Sequence, residues 1–303
     1  MALVPLTRGG PDDGGNYEHQ WSGEYLQAHL LSDIGKKRQQ NEDSCILCAP
    51  EDKRLEQERG FLFAVADGMG GVSGGEFASR LALHSIVERY YTGVEPGIPE
   101  RLREAVMTAN KRIYEEAENH PEYHGMGTTV SVVLVNGENA YVAQVGDSRV
   151  YLWRTGRRRL WQLTEDHSLI AEQVRNGYLS EEEAQNHSLK NLITRAVGTR
   201  EAITVDLFAL KLEVDDAILI CSDGLSNVVK DEEIAGAMRL NSLQGAARVL
   251  VGHALEAGGP DNITVALLKV IKQPPKTELD EGAVQVPLRN SGLFSRLLRL
   301  FSS

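Results

Sequence analysis

Acidic residues stand at several points of the sequence where an apolar segment gives way to a turn. Asp67 and Asp223 each follow such a segment, and each is followed directly by a glycine, which lets the backbone turn sharply. Asp261 precedes Asn262 and a further apolar segment. Other acidic residues lie in comparable positions, namely Glu42, Asp43 and Asp147.

Residues of this type in this arrangement point to metal chemistry. Carboxylate and carbonyl oxygens are the ligands that hard divalent cations such as Mg²⁺ and Mn²⁺ prefer. Several carboxylates brought together would repel one another strongly unless a cation lay between them. An aspartate followed by glycine is also a common turn signal, so each position taken singly has a purely structural explanation. It is the set as a whole that indicates a divalent metal site.

Predicted strands lie next to most of these acidic residues and would position them. Short apolar runs predict them, and several pairs are joined by hairpin-like turns, which favours antiparallel pairing. The predicted strands are 26–34, 44–49, 61–66, 128–136, 140–145, 149–154, 160–163, 203–209, 217–221 and 263–271. Apolar residues at helical spacing predict helices around 78–86, 102–117 and 243–254. Strand runs followed by helices indicate an α+β layered fold rather than alternating βαβ units.

Composition limits the classes of function. The formal net charge of −11 argues against nucleic-acid binding, which needs basic patches. Hydrophobic residues make up 42% of the 303 residues, enough for a sizeable core. The three cysteines are few and odd in number, which indicates a reducing compartment. Cys45 and Cys48 lie on a predicted strand that would place them on opposite faces, so ordinary packing is expected for both.

Three segments are predicted along the chain. Residues 1–22 are rich in glycine, proline and aspartate and are expected to form a disordered N-terminal segment. Residues 23–272 form the predicted compact domain. Residues 273–303 are expected to be a polar linker followed by a short amphipathic C-terminal segment at 292–301. We find no secretory signal and no run of ~18 apolar residues, so a cytoplasmic location is the default expectation.

The motifs in this order resemble the bacterial branch of the type 2C metal-dependent serine/threonine protein phosphatases. The matching stretches are Ser32-Asp-Ile-Gly with Arg38 and Asn41-Glu-Asp, Asp67-Gly-Met-Gly-Gly, Gly127-Thr-Thr, Val145-Gly-Asp-Ser-Arg, Leu163-Thr-Glu-Asp-His, Leu192-Ile-Thr-Arg-Ala-Val-Gly, Ser222-Asp-Gly-Leu and Asp261-Asn-Ile-Thr. They span roughly residues 26–271, nearly all of the predicted compact domain. The resemblance implies a four-layer α-β-β-α sandwich of two antiparallel sheets flanked by helices, with a metal cleft at one end.

The resemblance also implies which residues bind the cations, which would be Mn²⁺ or Mg²⁺. Asp67 would bridge two ions, and the carbonyl oxygen of Gly68 would be a further ligand. Asp223 and Asp261 would be ligands of the second ion. Asp147, together with Asp223, would form a third metal site of the kind described in bacterial members.

The remaining roles concern water and phosphate. Glu42 and Asp43 would hold waters bound to the ions, and Arg38 would grip the substrate phosphate with paired donors. Two ions ~3.5–4 Å apart would activate a water for attack on phosphorus, so no phosphorylated enzyme is needed. Many eukaryotic members carry histidine where this chain has Met69, which cannot donate a proton. A water on the metal is then the favoured acid, and His167 is a weaker candidate.

Two segments have more than one interpretation. In the family, the region of residues 168–190 forms a mobile flap beside the cleft, but its polar sequence is equally typical of a solvated helix-turn-helix. The C-terminal segment 292–301 places Arg296 and Arg299 among bulky apolar residues. It could associate weakly with an anionic membrane, dock in a partner's groove or pack on the domain itself.

Three functions are compatible with these residues. The first, which we predict, is an active phosphatase, a cytoplasmic monomer that acts on phosphorylated proteins and opposes a serine/threonine kinase. The second is a catalytically dead scaffold that only binds phosphoproteins. Such relatives usually lack metal aspartates, and here all the expected ones are present. The third is a metal-dependent hydrolase of small phosphate esters, which would need no protein partner.

Overall fold

Fourteen strands form the centre of the protein in a computed structural model that describes residues 5–180, 183–184, 187–189 and 192–285. In chain order they are β1 (Leu6–Gly10), β2 (Tyr17–Ser22), β3 (Leu26–Asp33), β4 (Asp43–Ala49), β5 (Phe61–Met69), β6 (Gly127–Thr128), β7 (Val130–Asn136), β8 (Asn139–Val145), β9 (Arg149–Arg154), β10 (Arg159–Gln162), β11 (Asp206–Lys211), β12 (Ala217–Cys221), β13 (Ile263–Val270) and β14 (Val284–Gln285). All ten strands predicted from the sequence are present, although the one expected at 128–136 is divided between β6 and β7.

The strands form two sheets. The first has the order β1-β4-β5-β7-β8-β11-β14, and β6 pairs with β5 outside this path. The second has the order β10-β9-β12-β13-β3-β2. The paired strands of the described residues run antiparallel, except that β11 and β14 are parallel.

Helices cover the outer faces of both sheets. The α-helices with described bounds are α1 (Lys53–Arg59), α2 (Gly71–Thr92), α3 (Ile98–Asn119), α4 (Leu169–Arg175), α5 (Asp223–Ser226), α6 (Asp231–Met238) and α7 (Leu243–Glu256). One apolar cluster lies between the first sheet and α2 and α3, a second between the two sheets, and a third between the second sheet and α6 and α7. The α+β fold with four layers, α-β-β-α, is therefore confirmed.

Burial on both faces explains why the central strands read as continuous apolar runs. Every residue of β4, β7 and β8 is buried, because one face of each strand meets helices and the other meets the second sheet. In β4, Cys45 belongs to the cluster between the sheets and Cys48 to the cluster under the helices. The two cysteines thus point to opposite faces, as the alternation of a strand requires.

The expected disorder of residues 1–22 is wrong for the described part of that segment. β1 pairs with β4, and β2 pairs with β3, so both strands extend the sheets. The physical reason is aromatic burial. The ring of Trp21 lies 5.3 Å from that of Phe61 and 6.3 Å from that of Phe63, which anchors β2 over the core between the sheets. Two of the four glycines of residues 1–22, and both aspartates, lie in the connection between the two strands.

Part of the predicted C-terminal linker is also held on the domain. The amide group of Asn139 donates hydrogen bonds to the backbone of Thr277 and Glu278, and Asp280 accepts one from the backbone of Ile98. The predicted segment 292–301, with Arg296 and Arg299, lies outside the described residues. None of the described helices is long and apolar enough to cross a membrane.

Candidate metal centre

The topology brings the predicted acidic residues to one end of the sandwich. Asp43 is the first residue of β4, and Asp67 lies near the end of β5. Asp147 follows the end of β8, Asp223 follows the end of β12, and Asp261 precedes the start of β13. Because neighbouring strands are antiparallel, the start of one strand and the end of the next lie at the same edge. We call these five aspartates the carboxylate cluster.

The backbone around Asp67 is fixed by two threonines. Its amide donates to Oγ1 of Thr129 (2.9 Å), and its carbonyl accepts from the Thr129 amide (2.8 Å) and the Thr128 hydroxyl (2.9 Å). Asp67 also lies directly opposite Asp43 in the β4–β5 ladder. The Gly127-Thr-Thr motif therefore holds the strand end that presents Asp67.

Ser222 joins the second sheet to the first at the same place. Its hydroxyl donates to Oδ2 of Asp43 (2.7 Å) and accepts from the amide of Thr264 (2.9 Å). The next residue, Asp223, opens the short helix α5, and its Oδ2 accepts from the side chain of Asn227 (2.9 Å). This arrangement holds Asp43 and Asp223 side by side, although they are far apart in the sequence.

Asn262 organises the loop that carries the two remaining candidates. Its side-chain oxygen accepts from the amide of Glu42 (2.9 Å), and its NH₂ group donates to the carbonyls of Ile34 and Gln40 (both 3.0 Å). The loop between β3 and β4 is thus fixed to the start of β13. Arg38 lies on this loop, and one of its nitrogens donates to Oδ2 of Asp261 (2.8 Å).

Two glycines allow the close backbone approach that this site requires. A Cβ atom at Gly68 would lie 2.1 Å from the carbonyl oxygen of Gly75, at the start of α2. A Cβ atom at Gly224 would lie 1.9 Å from the carbonyl oxygen of Asn262. Glycine is therefore required after both Asp67 and Asp223, for reasons of packing as well as of turning.

The members of the cluster differ in exposure. Asp43 and Asp147 are buried, and each has one carboxylate oxygen, Oδ1, with no hydrogen-bond partner in the described part of the chain. Asp67, Asp223 and Asp261 are partly exposed. A buried oxygen without a partner is costly in a folded protein. The cluster thus presents oxygen atoms that the protein itself leaves without a partner.

Burial, together with neighbouring charges, raises the pKa values of Asp43, Asp67, Asp147 and Asp223. Burial raises the pKa of Asp43 to about 7, and burial together with the charge of Asp223 raises that of Asp147 to about 8. Burial and the neighbouring charges of Asp43 and Asp223 raise the pKa of Asp67 well above its ordinary value. Burial also raises the pKa of Glu42. Protons therefore compensate these carboxylates when no cation does, and a cation would displace the protons.

The donor set suits a hard divalent cation, because it consists of oxygen atoms. Two of them, Oδ1 of Asp43 and Oδ1 of Asp147, are buried and have no hydrogen-bond partner among the described residues. Among the described residues, no three acidic, histidine or cysteine side chains already have the spacing of metal ligands. Asp261 explains part of this. One of its oxygens is bonded to Arg38 and the other to the amide of Asn262, so it must exchange the arginine for an ion before it can act as a ligand.

Comparison with known proteins decides the family. A sequence profile described as "Protein phosphatase 2C" matches residues 36–251. The chain belongs to the protein phosphatase 2C family.

Relatives of this phosphatase 2C chain include named enzymes and solved structures. It is 36% identical over 251 residues to the serine/threonine phosphatase stp of Listeria welshimeri, covering 80% of this chain and 96% of the relative. The S. agalactiae serine/threonine phosphatase superposes with a TM-score of 0.74 at 35% identity, covering 81% of this chain and 100% of that one. The catalytic domain of the phosphatase PstP, solved in complex with two manganese ions, gives a TM-score of 0.70 at 34% identity, covering 82% and 99%.

One expectation about this phosphatase 2C chain is wrong. His167, the weaker candidate for the general acid, is fully buried, and both ring nitrogens face protein partners. It is therefore not placed to protonate a leaving group. No role was predicted for Thr129, Ser222 or Asn262, although all three stand in the motifs that match the family.

The region expected as a flap or a solvated helix-turn-helix is described only in part. It begins with α4, which Ser168 caps by accepting a hydrogen bond from the amide of Ala171. The two ends of the region meet, because Ser168 pairs with Ile193 in an isolated bridge. Tyr178 and Leu192 are exposed. Residues 181–182, 185–186 and 190–191 lie outside the described residues.

Proposed function

We propose that the protein hydrolyses phosphoserine and phosphothreonine in other proteins with the help of divalent cations. One observation carries the proposal, namely the meeting of five aspartates from separate elements at one end of a phosphatase 2C fold. Relatives that cover most of the chain are named serine/threonine phosphatases. The two manganese ions in the PstP catalytic domain support Mn²⁺, or the similarly oxygen-seeking Mg²⁺, as the cation here.

The proposed ligand roles are those that the family resemblance implies, and position and exposure support them. Asp67, near the end of β5, and the carbonyl of Gly68 would hold two ions together. Asp223 and Asp261, both partly exposed, would complete the second ion's ligands. Asp147, buried beside Asp223, would hold a third ion.

Asp43 and Glu42 would act on the ions through water molecules. The carboxylate of Asp43 is buried and already bonded through one oxygen to Ser222, which leaves the other free to accept from a water. Glu42 is more exposed, and its backbone is fixed by Asn262. Both would orient water molecules around the ions rather than contact the ions directly.

Bound divalent cations supply a nucleophilic water at neutral pH and neutralise the charge of the phosphate. Arg38 would bind that phosphate, and the 48% exposure of its side chain beside Asp261 supports this role. Its planar guanidinium can donate two parallel hydrogen bonds to a phosphate. If Asp261 held an ion, its bond to Arg38 would be released and the guanidinium would be available to the substrate.

The chain offers no cysteine nucleophile at the site. Cys45 and Cys221 each stand two residues from a member of the cluster, and both are buried. Burial raises the pKa of the Cys45 thiol, and it raises that of Cys221 to about 12. A thiol held protonated in this way is inert as a nucleophile. The side chain of Met69 cannot serve as an acid. Hydrolysis would therefore proceed by direct attack of water, with the leaving group protonated from the solvent side of the site.

We further propose that the substrates are proteins phosphorylated by a serine/threonine kinase and that the enzyme works as a monomer in the cytoplasm. The Tyr178 and Leu192 side chains, exposed in the region that follows His167, suit contact with a protein substrate. The net charge of −11 gives no support for nucleic-acid binding.

The test is hydrolysis of a phosphothreonine peptide with Mn²⁺, with excess chelator, and by the Asp223→Asn variant. We expect turnover only by the wild-type enzyme with Mn²⁺, and a loss of about 10³-fold in kcat/KM for the variant. Asp215→Asn is the matched control. Asp215 is exposed and has φ +68°, a conformation that asparagine tolerates, so this variant should retain full activity.

Each alternative outcome identifies a different function. Full activity in chelator would reject the metal mechanism. Turnover of small phosphate esters without turnover of the peptide would indicate a small-ester hydrolase. Tight binding of phosphoprotein without any turnover would indicate a scaffold.

A further inference from the structure

His167 holds the turn from which Asp147 projects. The amide of Gly146 donates to Nδ1 of His167 (3.0 Å), and the backbone amide of His167 donates to the carbonyl of Gly146 (3.0 Å). Both backbone groups of Gly146 are thus bonded to one residue whose side chain is fully buried. Asp147 is the next residue along the chain.

The hydrogen bonds fix the protonation of the imidazole. A backbone N–H can only donate, so Nδ1 must be the unprotonated acceptor and the ring proton must lie on Nε2. That nitrogen faces Oδ2 of Asp206 at 3.1 Å. The other oxygen of Asp206 accepts from Arg195 at 2.9 Å. A continuous chain of bonds therefore runs from Arg195 through Asp206 and His167 to Gly146.

Asp206 is held as a carboxylate. Burial by itself would raise the pKa of Asp206, but the hydrogen bonds and charges of His167 and Arg195 bring it below its ordinary value. An ionised Asp206 is the acceptor that the Nε2–H group of His167 needs. The carboxylate thus stabilises the tautomer that can accept from Gly146.

Gly146 depends on an external support of this kind. Its φ is +108°, and a Cβ atom there would lie 2.6 Å from the side chain of Thr129, so no other residue fits. A glycine has no side chain with which to anchor itself. Its supports are His167 and the amide group of Gln144, which donates to the Gly146 carbonyl (3.2 Å).

We propose that His167, supported by Asp206 and Arg195, is a positioning residue that directs the Asp147 carboxylate into the carboxylate cluster. The inference rests on the proposed function, because it assumes that the cluster binds cations. His167 acts through the Gly146 peptide and touches neither substrate nor reacting atoms.

The same residue also fixes the base of the region that follows it. The His167 carbonyl accepts from the amide of Thr194 (2.8 Å), where the chain returns from that region, and the amide of Leu169 donates to the carbonyl of Leu192 (2.9 Å). Arg195 follows Thr194 in the chain, and its hydrogen bond to Asp206 links it through His167 to Gly146. The turn of Asp147 and the base of this region are therefore one connected unit.

A double-mutant cycle tests the proposal by direct Mn²⁺ binding, measured from the signal of free Mn²⁺ in electron paramagnetic resonance. The variants are His167→Ala, Asp147→Ala and the double variant in the full chain. We expect His167→Ala to weaken the binding of one ion about 10- to 100-fold, the usual effect of removing a support of a metal ligand. In the Asp147→Ala background, where that ion is already lost, His167→Ala should add nothing. His167→Asn should rescue part of the loss, because its side-chain oxygen can replace Nδ1 as the acceptor.

Equal losses in both backgrounds, or no loss in either, would overturn the proposal. The cycle is measured without turnover, so a failure of the proposed function would appear separately, as a wild-type enzyme that does not hydrolyse the phosphopeptide. A second measurement needs no variant and so does not depend on the variants folding. The ¹⁵N shifts of His167 in the wild-type protein should show Nε2 protonated and Nδ1 unprotonated, and the opposite tautomer would contradict the proposal.

Discussion

Asp43 and Asp216 are both buried aspartates beside strand ends, but they lie at opposite ends of the sandwich and in opposite surroundings. Each is 1% exposed. Arg154 donates to both oxygens of Asp216, with a shortest distance of 2.7 Å, and the amide of Glu213 adds a further hydrogen bond. Among the described residues no arginine or lysine bonds to Asp43, and its Oδ1 has no partner.

The comparison shows that burial alone does not distinguish a structural carboxylate from a functional one. The distinguishing feature is the source of the compensating positive charge. For Asp216 the source is a side chain built into the fold, while for Asp43 and its neighbours it must come from outside the protein. A buried carboxylate without a compensating positive charge is destabilising, so its presence in the fold indicates a function.

The largest effect should come from Asp67→Asn, which removes the carboxylate proposed to hold two ions together. We expect kcat/KM for a phosphothreonine peptide with Mn²⁺ to fall by about 10³-fold. Asp216→Asn, at the other end, should leave the activity of the folded enzyme unchanged. Steady-state kinetics on both variants check this. Comparable losses in both would remove the functional distinction between the two ends.

The second effect concerns stability and should have opposite signs at the two ends. Asp216→Ala leaves Arg154 buried without its partner and should lower the free energy of unfolding by about 3–5 kcal/mol. Asp43→Asn removes a buried, repelled carboxylate and should raise the stability of the metal-free chain. Urea unfolding in chelator measures both. A destabilised Asp43→Asn protein would mean that Asp43 is compensated within the fold after all.

The third effect is a pH dependence of the metal-free protein. The folded-state pKa values of Asp43 and Asp147, raised by burial to about 7 and about 8, exceed the value of about 4 expected in the unfolded chain. The folded state therefore holds protons that the unfolded state has released, and stability should fall as pH rises from 6 to 8. Saturating Mn²⁺ should reduce this fall. A melting temperature that rises with pH over this range in chelator would contradict the prediction.

The smallest effect should come from Arg38→Lys. Arg154 is permanently bonded to Asp216, whereas Arg38 is 48% exposed and must exchange Asp261 for phosphate. A lysine keeps the charge but loses the paired donors, so KM should rise about tenfold with a smaller change in kcat. An unchanged KM would show that Arg38 does not bind the phosphate.

The central fold was predictable because its strands are covered on both faces. Such strands appear in the sequence as apolar runs, and the predicted strands 217–221 and 149–154 have the same bounds as β12 and β9. The edge strands β1 and β2 were missed because only one face of each is covered and glycine, proline and aspartate fill the connection between them. Tyr17 and Trp21, four residues apart and therefore on the same face of the strand, were the available signal for β2.

The site was predictable as a set of aspartates but not as a structure. The residues that hold the aspartates act across long sequence distances. Asn262 bonds to the backbone of Glu42, 220 residues away, and Ser222 bonds to Asp43, 179 residues away. No local sequence pattern predicts such contacts. The pairing of Arg38 with Asp261 and the burial of His167 depend likewise on packing that a single sequence does not display.

Whether the carboxylate cluster binds divalent cations is tested by anomalous diffraction at the manganese edge from crystals of the full chain soaked in Mn²⁺. We expect two strong peaks in contact with Asp67, Asp223 and Asp261, and a weaker third peak at Asp147. We also expect that Arg38 no longer contacts Asp261. Crystals of active enzyme in saturating Mn²⁺ with no peak at these carboxylates, or with Mn²⁺ only elsewhere, would contradict it.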